Sequence, residues 1–387
     1  MKKIAVVGKG TAGCMSASFY RNRTNCEIEW YFDPNIKPQS VGEGSNLVLP
    51  SRLNEWFAFG ARDYDKVDAT IKTGIYKQNW GRNMKPFLHD FPSPSVALHF
   101  SAPKLQEYIH HKLQEHVTIK QMNVDTQDID ADFIIDCTGK PITYESHKQS
   151  DYIPVNSVYV TQCFWDYPKF NHTLTIARPY GWVFGIPLAN RCSIGYMYNK
   201  DINTLEEVMA DVQNIFDEYN LEPSETTNAF SFKNYRRRNN IEGNIAYNGN
   251  ASFFLEPLEA TSFSTVDSVN TIIDRHWFHG SSLELSNQRY DEWITSNESI
   301  IMLHYYAGSD FKTPFWDYAQ ERGQKCIENS SESFKYMLAH SVEPQGLGTY
   351  HNYFPEQFIP SEEFQATYAS WWEGSFAQNK IGLGLMV

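Results

Sequence analysis

The sequence is short of several features that would identify particular classes of protein. Its six cysteines form no C-x-x-C pair, which argues against both a zinc site and a disulfide framework. No run approaches the ~18 apolar residues of a membrane-spanning helix, and the apolar run after Met1 ends at Gly8, too early for a signal peptide. Basic residues are outnumbered, 33 Lys and Arg against 46 Asp and Glu, so nucleic acid is not an expected partner. We therefore expect a soluble, cytoplasmic protein that binds neither membrane nor metal.

Aromatic residues, by contrast, are abundant and make up 15% of the 387 residues. They suit a pocket for a flat, apolar ligand, although an ordinary hydrophobic core would use them equally well. The sequence has no repeats, low-complexity tracts or linkers, which favours one interwoven unit over separable domains.

A strand–turn–helix pattern typical of dinucleotide binding lies at the start of the chain. The apolar, β-branched run at 4–7 predicts a buried parallel strand, and GKGTAG then places Gly8, Gly10 and Gly13 in G-x-G-x-x-G register. Glycines at these positions allow a tight turn and a close approach of the backbone to a pyrophosphate at the next helix N-terminus. A second predicted strand ends at Asp33, where an acid can bind a ribose hydroxyl. The pattern predicts a dinucleotide site and leaves FAD and NAD as alternatives.

Two later segments place polar residues at strand ends or turns, and a third places a lysine on a strand. The segment DADFIIDCTGK predicts a strand that ends with Asp136 and Gly139, a typical place for backbone to contact a dinucleotide. The Gly-rich turn VGEGSNLVLP carries Glu43 and, taken alone, would be interpreted as a surface loop. Lys72 lies on a predicted alternating strand at 68–81, where a lysine usually points into solvent. A chemical role for Lys72 therefore needs support from elsewhere in the chain.

The segment FFLEPLEATS, at 253–262, places two carboxylates in an apolar setting. Glu256 and Glu259 lie on either side of Pro257, and a buried carboxylate is costly unless it is hydrogen-bonded or used in chemistry. One interpretation is a helix N-terminus, in which Pro257 occupies the first turn and an acid complements the helix dipole. The other interpretation is an active site, and the choice depends on the rest of the chain.

Taken in order, these segments resemble the flavin-dependent halogenases of the tryptophan-halogenase type. The similar segments run through most of the chain and are GKGTAG, VGEGSNLVLP, ATIKTGIYKQNW, GWVFGIP, FLEPLEAT and LHYYAGSDFKTPFW. GWVFGIP is similar to the family's W-x-W-x-I-P signature, with Phe184 in place of the second tryptophan, and FLEPLEAT is similar to F-L-E-P-L-E-S-T. These two segments carry most of the specificity of the resemblance.

The resemblance implies roles for individual residues. It places the essential lysine on Lys72 and the catalytic glutamate on Glu259, and it leaves Glu256 as a structural residue. Halide is expected at the backbone amides of Thr261 and Ser262. The residues expected to separate flavin from substrate and to line the tunnel are Trp182, Phe184, Ile186 and Pro187. The residues expected to bind the cofactor are Gly8, Gly10, Thr11, Ala12, Gly13, Asp33, Glu43, Asp136, Gly139 and Asn250.

The fold implied by the resemblance is α/β (α+β overall). A Rossmann-like FAD-binding module of the flavin-monooxygenase type is expected to be interwoven with a β-sheet and helical substrate module in a single unit, 1–387. The expected FAD-binding segments lie near 1–50, 95–150 and 240–275, and the expected substrate segments lie near 55–90, 155–235 and 280–387.

The implied activity is that of an FAD-dependent halogenase. Reduced FAD and O2 would oxidise halide to hypohalous acid, which reaches Lys72 for electrophilic halogenation of a small electron-rich aromatic of the phenol or indole type. The sequence has no Asp-Gly dipeptide of the kind that contacts both FAD and NADPH in related hydroxylases. A separate NAD(P)H-dependent flavin reductase is therefore expected as a partner. Two alternatives stay open, a flavin-dependent monooxygenase or other oxidoreductase on the same fold, and a flavin-binding protein without catalysis.

Three departures from the family pattern bear on these expectations. Asn250 stands where an acid usually lies near the flavin ribityl chain, and Ser262 stands where a glycine usually follows the threonine. An imperfect halide site handicaps bromide and iodide less than chloride, because they are less strongly hydrated and easier to oxidise, so we expect them to be favoured. The chain is also short at the C-terminus, where tryptophan-specific members build much of their pocket, which makes free tryptophan a poor default substrate.

Overall fold

The computed structural model describes residues 1–36, 42–91, 95–340 and 373–385. Helices and four β-sheets are combined in it, which confirms the α/β fold class expected from the sequence. Within these ranges, no helix combines the length and the apolar character needed to cross a membrane.

The α-helices are numbered in chain order. They are α1 (Thr11–Arg23), α2 (Val48–Phe57), α3 (Ala102–Leu113), α4 (Leu205–Glu218), α5 (Ser262–His279), α6 (Leu283–Ala307), α7 (Pro314–Glu328), α8 (Glu332–His340) and α9 (Glu373–Gly382). Short 3₁₀ helices are found at Ala61–Val67, Thr126–Asp128 and Gly249–Ala251.

A six-stranded sheet is built around the N-terminal strand. Its members are β1 (Lys3–Val7), β2 (Glu27–Phe32), β8 (Thr118–Gln121), β9 (Phe133–Asp136), β17 (Ile241–Glu242) and β18 (Ile245–Tyr247). They are hydrogen-bonded in the order β17-β18-β9-β1-β2-β8, and every pair except β17 with β18 is parallel. Four of the five residues of β1 are buried, as expected for a central parallel strand covered on both faces. The parallel arrangement brings the carboxyl ends of β1, β2 and β9 to one edge of the sheet.

A seven-stranded sheet forms the second large layer. Its members are β5 (Gly74–Gln78), β6 (Phe87–Asp90), β11 (Ser157–Phe164), β12 (Thr173–Arg178), β13 (Gly181–Pro187), β14 (Arg191–Tyr198) and β15 (Glu222–Ser231). The order is β15-β11-β14-β13-β12-β5-β6, and all pairs are antiparallel except β12 with β5. Residues of β13 alternate between its two faces, so Trp182, Phe184 and Ile186 share one face.

Two small sheets connect these layers to the candidate site. One, in the order β3-β7-β4, consists of β3 (Gly42–Gly44), β4 (Thr70–Lys72) and β7 (Ala97–Ser101). The other, in the order β10-β16-β19, consists of β10 (His147–Gln149), β16 (Tyr235–Arg237) and β19 (Phe253–Phe254). The first sheet pairs β4, from the predicted substrate module, with β7, from the predicted FAD-binding module, so the two are joined by backbone hydrogen bonds. The boundaries of the two modules stay a prediction.

Separate apolar clusters stabilise the two large sheets. In the first, residues of the six-stranded sheet pack against α1, α3 and α5, with Trp30 fully buried at its centre. The Trp30 indole also donates a hydrogen bond to the carbonyl oxygen of Gly8, at 2.7 Å, and so supports the glycine-rich turn. In the second, Trp80, Trp182 and Trp316 pack between the seven-stranded sheet and the helices α6 and α7. Leu258, four residues before α5, also belongs to this cluster.

The substitution Trp30→Ala should lower the free energy of unfolding by about 3–5 kcal/mol, because it removes a fully buried indole and leaves a cavity. Urea unfolding followed by circular dichroism measures the change. Tyr167→Ala, at a side chain that is 73% exposed, is the control and should change stability by no more than about 0.5 kcal/mol. Equal losses in the two variants would contradict the assignment of Trp30 to the core.

Candidate active site

The segment 253–262 leads into helix α5, which begins at the last residue of the segment, Ser262, with Thr261 as its N-cap residue. The expectation that Pro257 occupies the first helical turn is therefore wrong. Between Pro257 and Ser262, Ala260 adopts a left-handed conformation with φ of 51°. The turn is closed by a hydrogen bond of 3.0 Å that the Ala260 N–H donates to the carbonyl oxygen of Pro257. This turn points Glu259 into the interior, where it is 5% exposed.

The first amides of α5 meet the geometric requirement for an anion site. A helix N-terminus presents N–H groups without intrahelical partners, together with the positive end of the helix dipole. Ser262 is exposed, is helical and is absent from the residues with positive φ, so this position does not need the conformational freedom of glycine. The serine that departs from the family pattern thus fits the described backbone.

Glu259 is surrounded by basic side chains from three elements. Its carboxylate contacts the Lys77 amine from β5, lies 2.9 Å from Nε2 of His304 on α6, and lies 3.5 Å from Nδ1 of His89 on β6. Burial acts to raise the pKa of Glu259, but the charges of Lys77 and His304 and the hydrogen bonds from the two histidines outweigh it. The pKa of this carboxyl therefore lies well below its usual value, and Glu259 is ionised at neutral pH.

Lys72 is also fully buried, so the usual expectation of a solvent-facing lysine on a strand is wrong for this residue. Its Nζ donates a hydrogen bond of 2.9 Å to the carbonyl oxygen of Ser45, and it lies 5.6 Å from the centre of the Phe91 ring. Burial lowers the pKa of Lys72 to about 7; the Glu259 carboxylate opposes this shift and the charge of Lys77 adds to it. Among the described residues, Lys72 forms no ion pair within 4.0 Å of a carboxylate. Both the amine and the ammonium forms are thus available near neutral pH.

Glu256 and Trp182 form a separate buried pair beside Glu259. One carboxyl oxygen of Glu256 accepts hydrogen bonds from the Trp182 indole, at 3.3 Å, and from the Tyr305 hydroxyl, at 2.9 Å. The other oxygen has no hydrogen-bond partner within the part of the chain that the structure describes. Burial raises the pKa of Glu256 to about 8, against the lowering effect of these two hydrogen bonds. Glu256 is therefore largely protonated at neutral pH and orients the tryptophan, which agrees with a structural role.

The other residues predicted to line the tunnel lie on the same strand as Trp182, β13. Phe184 is half-buried and its ring covers Gly195, where an added Cβ would lie 2.0 Å from the ring. Its centroid is 6.1 Å from that of Trp182. Ile186 is half-buried on the same face, and the carbonyl oxygen of Pro187 accepts a 2.7 Å hydrogen bond from the Thr70 hydroxyl. Trp182, Phe184 and Ile186 thus share one face of β13, and the first two pack against each other.

The G-x-G-x-x-G turn fits the diphosphate of a dinucleotide. A Cβ on Gly8, which has φ of 114°, would lie 2.2 Å from the carbonyl oxygen of Cys137, and one on Gly13 would lie 2.0 Å from that of Gly8. Close backbone packing therefore requires glycine at both positions. Around Gly10, the N-cap of α1, the space that a Cβ would occupy is open. An open approach to the start of α1, where Thr11 and Ala12 lie, is what a pyrophosphate needs.

The other predicted cofactor residues lie around this turn. Asp33 and Asp136 follow or end the two strands that flank β1, and each carboxylate accepts hydrogen bonds from its own turn, from Asn35 and Thr138 respectively. Gly139, with φ of 104°, lies in the turn after Asp136 and borders open space. Asn250 is exposed in the 3₁₀ turn that contacts α1, because a Cβ on Gly249 would lie 2.4 Å from the Ala12 side chain.

Glu43 connects the dinucleotide turn to the buried lysine. It is half-buried on β3 and its carboxylate lies 3.5 Å from the hydroxyl of Thr11, while Ser45, two residues later, accepts the hydrogen bond from Lys72. Burial raises the pKa of Glu43 to about 7, and the Thr11 hydrogen bond opposes the shift. A Cβ added to Gly44 would lie 3.4 Å from Nζ of Lys72, so the turn lies directly against the amine.

Comparison with known proteins identifies the family of this chain. The tryptophan halogenase family model matches residues 3–109 and 98–358. The chain belongs to the tryptophan halogenase family. Tryptophan 6-halogenase ThaL of Streptomyces albogriseolus is 24% identical over 335 residues, which cover 78% of this chain and 61% of ThaL. Tryptophan 7-halogenase RebH of Lentzea aerocolonigenes is 27% identical over 202 residues, which cover 48% of this chain and 38% of RebH. The chain thus spans less than two thirds of the length of either curated relative.

The fold of this tryptophan halogenase family member is shared with solved structures. The flavin-dependent halogenase Xcc4156 from Xanthomonas campestris superposes with a TM-score of 0.77 at 18% identity, covering 100% of this chain and 89% of that one. At this identity the likeness shows the fold alone, and it agrees with the Rossmann-like unit expected from the opening motif.

Four residues around the carboxylate of this family member were not predicted as site residues. They are Lys77, His89, His304 and Asn379. Lys77 and His304 lie within two of the segments that carry the resemblance. A lysine and a histidine in these segments were the sequence features from which a role in the site could have been predicted. His89 and Asn379 have no such signal, because only tertiary packing brings them together, 290 residues apart, with 3.1 Å between the Asn379 amide nitrogen and Nδ1 of His89.

The substitution Lys72→Met should change how stability depends on pH. In the unfolded chain this lysine holds its proton to about pH 10.4, whereas in the folded protein the pKa is about 7. Between these values the unfolded state binds more protons, so the unsubstituted protein gains stability as pH rises, by at most about 1.4 kcal/mol per pH unit. Relative to Lys72→Met, it should therefore be least stable below pH 7 and recover above it.

Urea unfolding at a series of pH values measures this difference. The exposed Lys140 supplies the matched control, because Lys140→Met makes the same substitution at the surface and removes no buried amine. Parallel stability curves for Lys72→Met and the unsubstituted protein would show that folding does not lower the pKa of Lys72.

Proposed function

We propose that this protein is an FAD-dependent halogenase that oxidises halide to hypohalous acid and halogenates a small electron-rich aromatic through Lys72. The single observation that carries this proposal is the juxtaposition of two buried groups. A lysine and an ionised glutamate, both closed off from solvent, lie between a dinucleotide-binding turn and an aromatic cluster. Reduced FAD, when bound, supplies two electrons for the reduction of O2, and the halide supplies the other two as it becomes hypohalous acid.

Lys72 has the properties needed to accept hypohalous acid. Its ammonium form can donate a hydrogen bond that polarises the acid, and its amine form can take the halogen, forming an N–halogen bond and releasing water. A pKa of about 7 makes both forms available. Arginine could do neither equally well, because the guanidinium stays protonated and its charge is delocalised. The enclosure formed by Ser45, Phe91 and the Glu43 turn keeps the oxidant from side reactions.

Glu259 is proposed as the base that accepts the proton released by the aromatic ring. Attack of the ring on the halogen forms a carbon–halogen bond and breaks either the N–halogen bond, whose electron pair returns to the Lys72 nitrogen, or the O–halogen bond of the polarised acid, which leaves as water. The cationic ring intermediate regains aromaticity by losing a proton. This intermediate is a strong carbon acid, so even a carboxylate with a lowered pKa is basic enough. The ionised state of Glu259 at neutral pH is what the step requires.

The start of α5 is proposed as the halide site, with the amides of Thr261 and Ser262 as donors. The helix has 18 residues, and its dipole favours an anion at this end. Glycine-to-serine replacement at the second donor leaves the helical backbone in place but changes the space beside it. We keep the preference for bromide or iodide over chloride as part of the proposal.

The substrate is proposed to be a small phenol or indole, held against Trp182, Phe184, Ile186 and Pro187. Two relatives carry tryptophan in their names, but the chain spans under two thirds of their length. Reduced FAD is proposed to come from a separate NAD(P)H-dependent flavin reductase, supported by the absence of an Asp-Gly dipeptide from the sequence. The alternatives, a monooxygenase and a flavin-binding protein without catalysis, are outcomes of the test that follows.

The central test incubates the protein with FAD, a flavin reductase, NADH and each halide, with small phenols and indoles as substrates. Mass spectrometry should show a shift of one halogen. Lys72→Ala should abolish this product, and Glu259→Gln should lower its rate by about 100-fold or more, because each removes a proton-transfer or delivery group. Flavin binding, measured by fluorescence quenching, should survive both substitutions.

The exposed Lys140 again supplies a matched control, and Lys140→Ala should halogenate at the rate of the unsubstituted protein. Halogenation that persists in Lys72→Ala would show that the proposed mechanism is wrong. A mass shift of one oxygen would identify a monooxygenase, and flavin binding without any product would identify a non-catalytic flavin protein.

A competition experiment tests the halide preference. With equal chloride and bromide, and separately with equal chloride and iodide, the brominated or iodinated product should predominate. The physical reason is the weaker hydration and easier oxidation of the larger halides, which a halide site altered by Ser262 penalises less. Predominant chlorination in both mixtures would reject this part of the proposal.

A further inference from the structure

Lys77 is a second buried lysine in the candidate site, and its charge acts on both Glu259 and Lys72. Its side chain is completely enclosed, on a strand whose neighbouring residue Gln78 is half-buried on the opposite face. The Lys77 amine contacts the Glu259 carboxylate directly. Since a lone buried ammonium and a lone buried carboxylate are both costly, the contact accounts for the burial of each.

The surroundings of this ion pair come from four elements besides that of Glu259. Lys77 lies on β5, His304 Nε2 from α6 is 2.5 Å from its amine, and the side-chain oxygen of Asn379 from α9 is 2.5 Å away. His89 from β6 lies 3.5 Å from the second Glu259 oxygen. Among the residues that the structure describes, the charged and titratable groups in contact with Glu259 include Lys77, His304 and His89, and Lys72 of β4 acts at longer range.

The ion pair also decides where Lys72 is held. Lys72 and Lys77 are both near the one ionised carboxylate, but only Lys77 contacts it, and Lys72 is hydrogen-bonded to the Ser45 carbonyl oxygen instead. The charge of Lys77 opposes the effect of Glu259 on the pKa of Lys72, so a neutral, apolar residue at position 77 would leave the attraction between Glu259 and Lys72 without this opposition. An ion pair between these two would protonate the amine permanently and draw it from the turn that carries Glu43.

We propose that Lys77 is a positioning residue for halogenation, which holds the Glu259 carboxylate in an ion pair and thereby keeps Lys72 separate at the Ser45 carbonyl. The inference rests on the proposed function of Lys72 and Glu259. Lys77 itself takes no part in forming or breaking a bond; it acts through Glu259, which accepts the ring proton, and through Lys72, which receives the hypohalous acid.

The test compares Lys77→Met with the unsubstituted protein, each with FAD and a flavin reductase. Free hypohalous acid is measured with an enol trap in solution, and the halogenated aromatic is measured across pH 4–9. Formation of hypohalous acid should be unchanged, because halide oxidation precedes the step that Lys77 serves. Halogenation of the aromatic should fall at least about tenfold at neutral pH. Its acidic limb should move up by at least about one pH unit, because burial then raises the pKa of Glu259 without the opposing charge.

Gln78→Met is the matched control, since it makes the same apolar substitution on the same strand but on the opposite face. Its pH profile should coincide with that of the unsubstituted protein. The histidines that face Glu259 are unchanged in all three proteins, so the comparison isolates the charge of Lys77. A Lys77→Met profile equal to that of the unsubstituted protein, or a parallel loss of hypohalous acid, would overturn the proposal.

A stability cycle separates failure of this inference from failure of the proposed function. Lys77→Met, Glu259→Gln and the double variant are unfolded in urea, which needs no activity. The double variant should be more stable than Lys77→Met, because it no longer buries a carboxylate that has lost its contacting ammonium. If the unsubstituted protein halogenates nothing, the proposed function is wrong, and the role of Lys77 in halogenation falls with it even where the cycle shows coupling. If Lys77→Met does not fold, the double variant should; failure of both would assign Lys77 to packing and overturn the inference.

Discussion

The ion pair between Glu259 and Lys77 lies in an interior where neither charge would be stable alone. Four elements besides the segment before α5 have to converge to bury it, and they supply the side chains of Lys77, His89, His304 and Asn379. The pair therefore couples the seven-stranded sheet to the helices α6 and α9. Because an unpartnered charge at this depth is costly, the site favours one arrangement of these elements over looser alternatives.

The small sheet β3-β7-β4 positions the other buried lysine of the site, Lys72. It places Glu43, which is within reach of the Thr11 hydroxyl, and Lys72, whose amine binds the Ser45 carbonyl oxygen, on strands that share β7 as a neighbour. Ser45 lies two residues after Glu43, so a shift of the dinucleotide turn would also displace the carbonyl oxygen that accepts the hydrogen bond from Lys72. The geometry connects the glycine-rich turn to Lys72 through Glu43 and Ser45.

Much of the site could be predicted from local patterns, and the part that could not has a common cause. The opening strand, turn and helix follow from short-range rules, and the structure shows them where they were expected, with Gly8 and Gly13 in close backbone contacts. The prediction that Pro257 lies in the first helical turn was wrong, because a left-handed turn at Ala260 precedes the helix, which begins at Ser262. The burial of Lys72 was also missed, since alternation along one strand does not show which face the rest of the chain covers.

The sequence by itself determined the family, the α/β fold class and the local geometry of the glycine-rich turn, because these depend on motifs and on residue types a few positions apart. Only the tertiary structure decided which charges pair. Lys72 and Lys77 are five residues apart in one segment, yet only one of them contacts Glu259, more than 180 residues away. Partner choice between buried charges depends on distances of a few ångströms in a medium of low dielectric constant, and those distances are set by packing between elements remote in sequence.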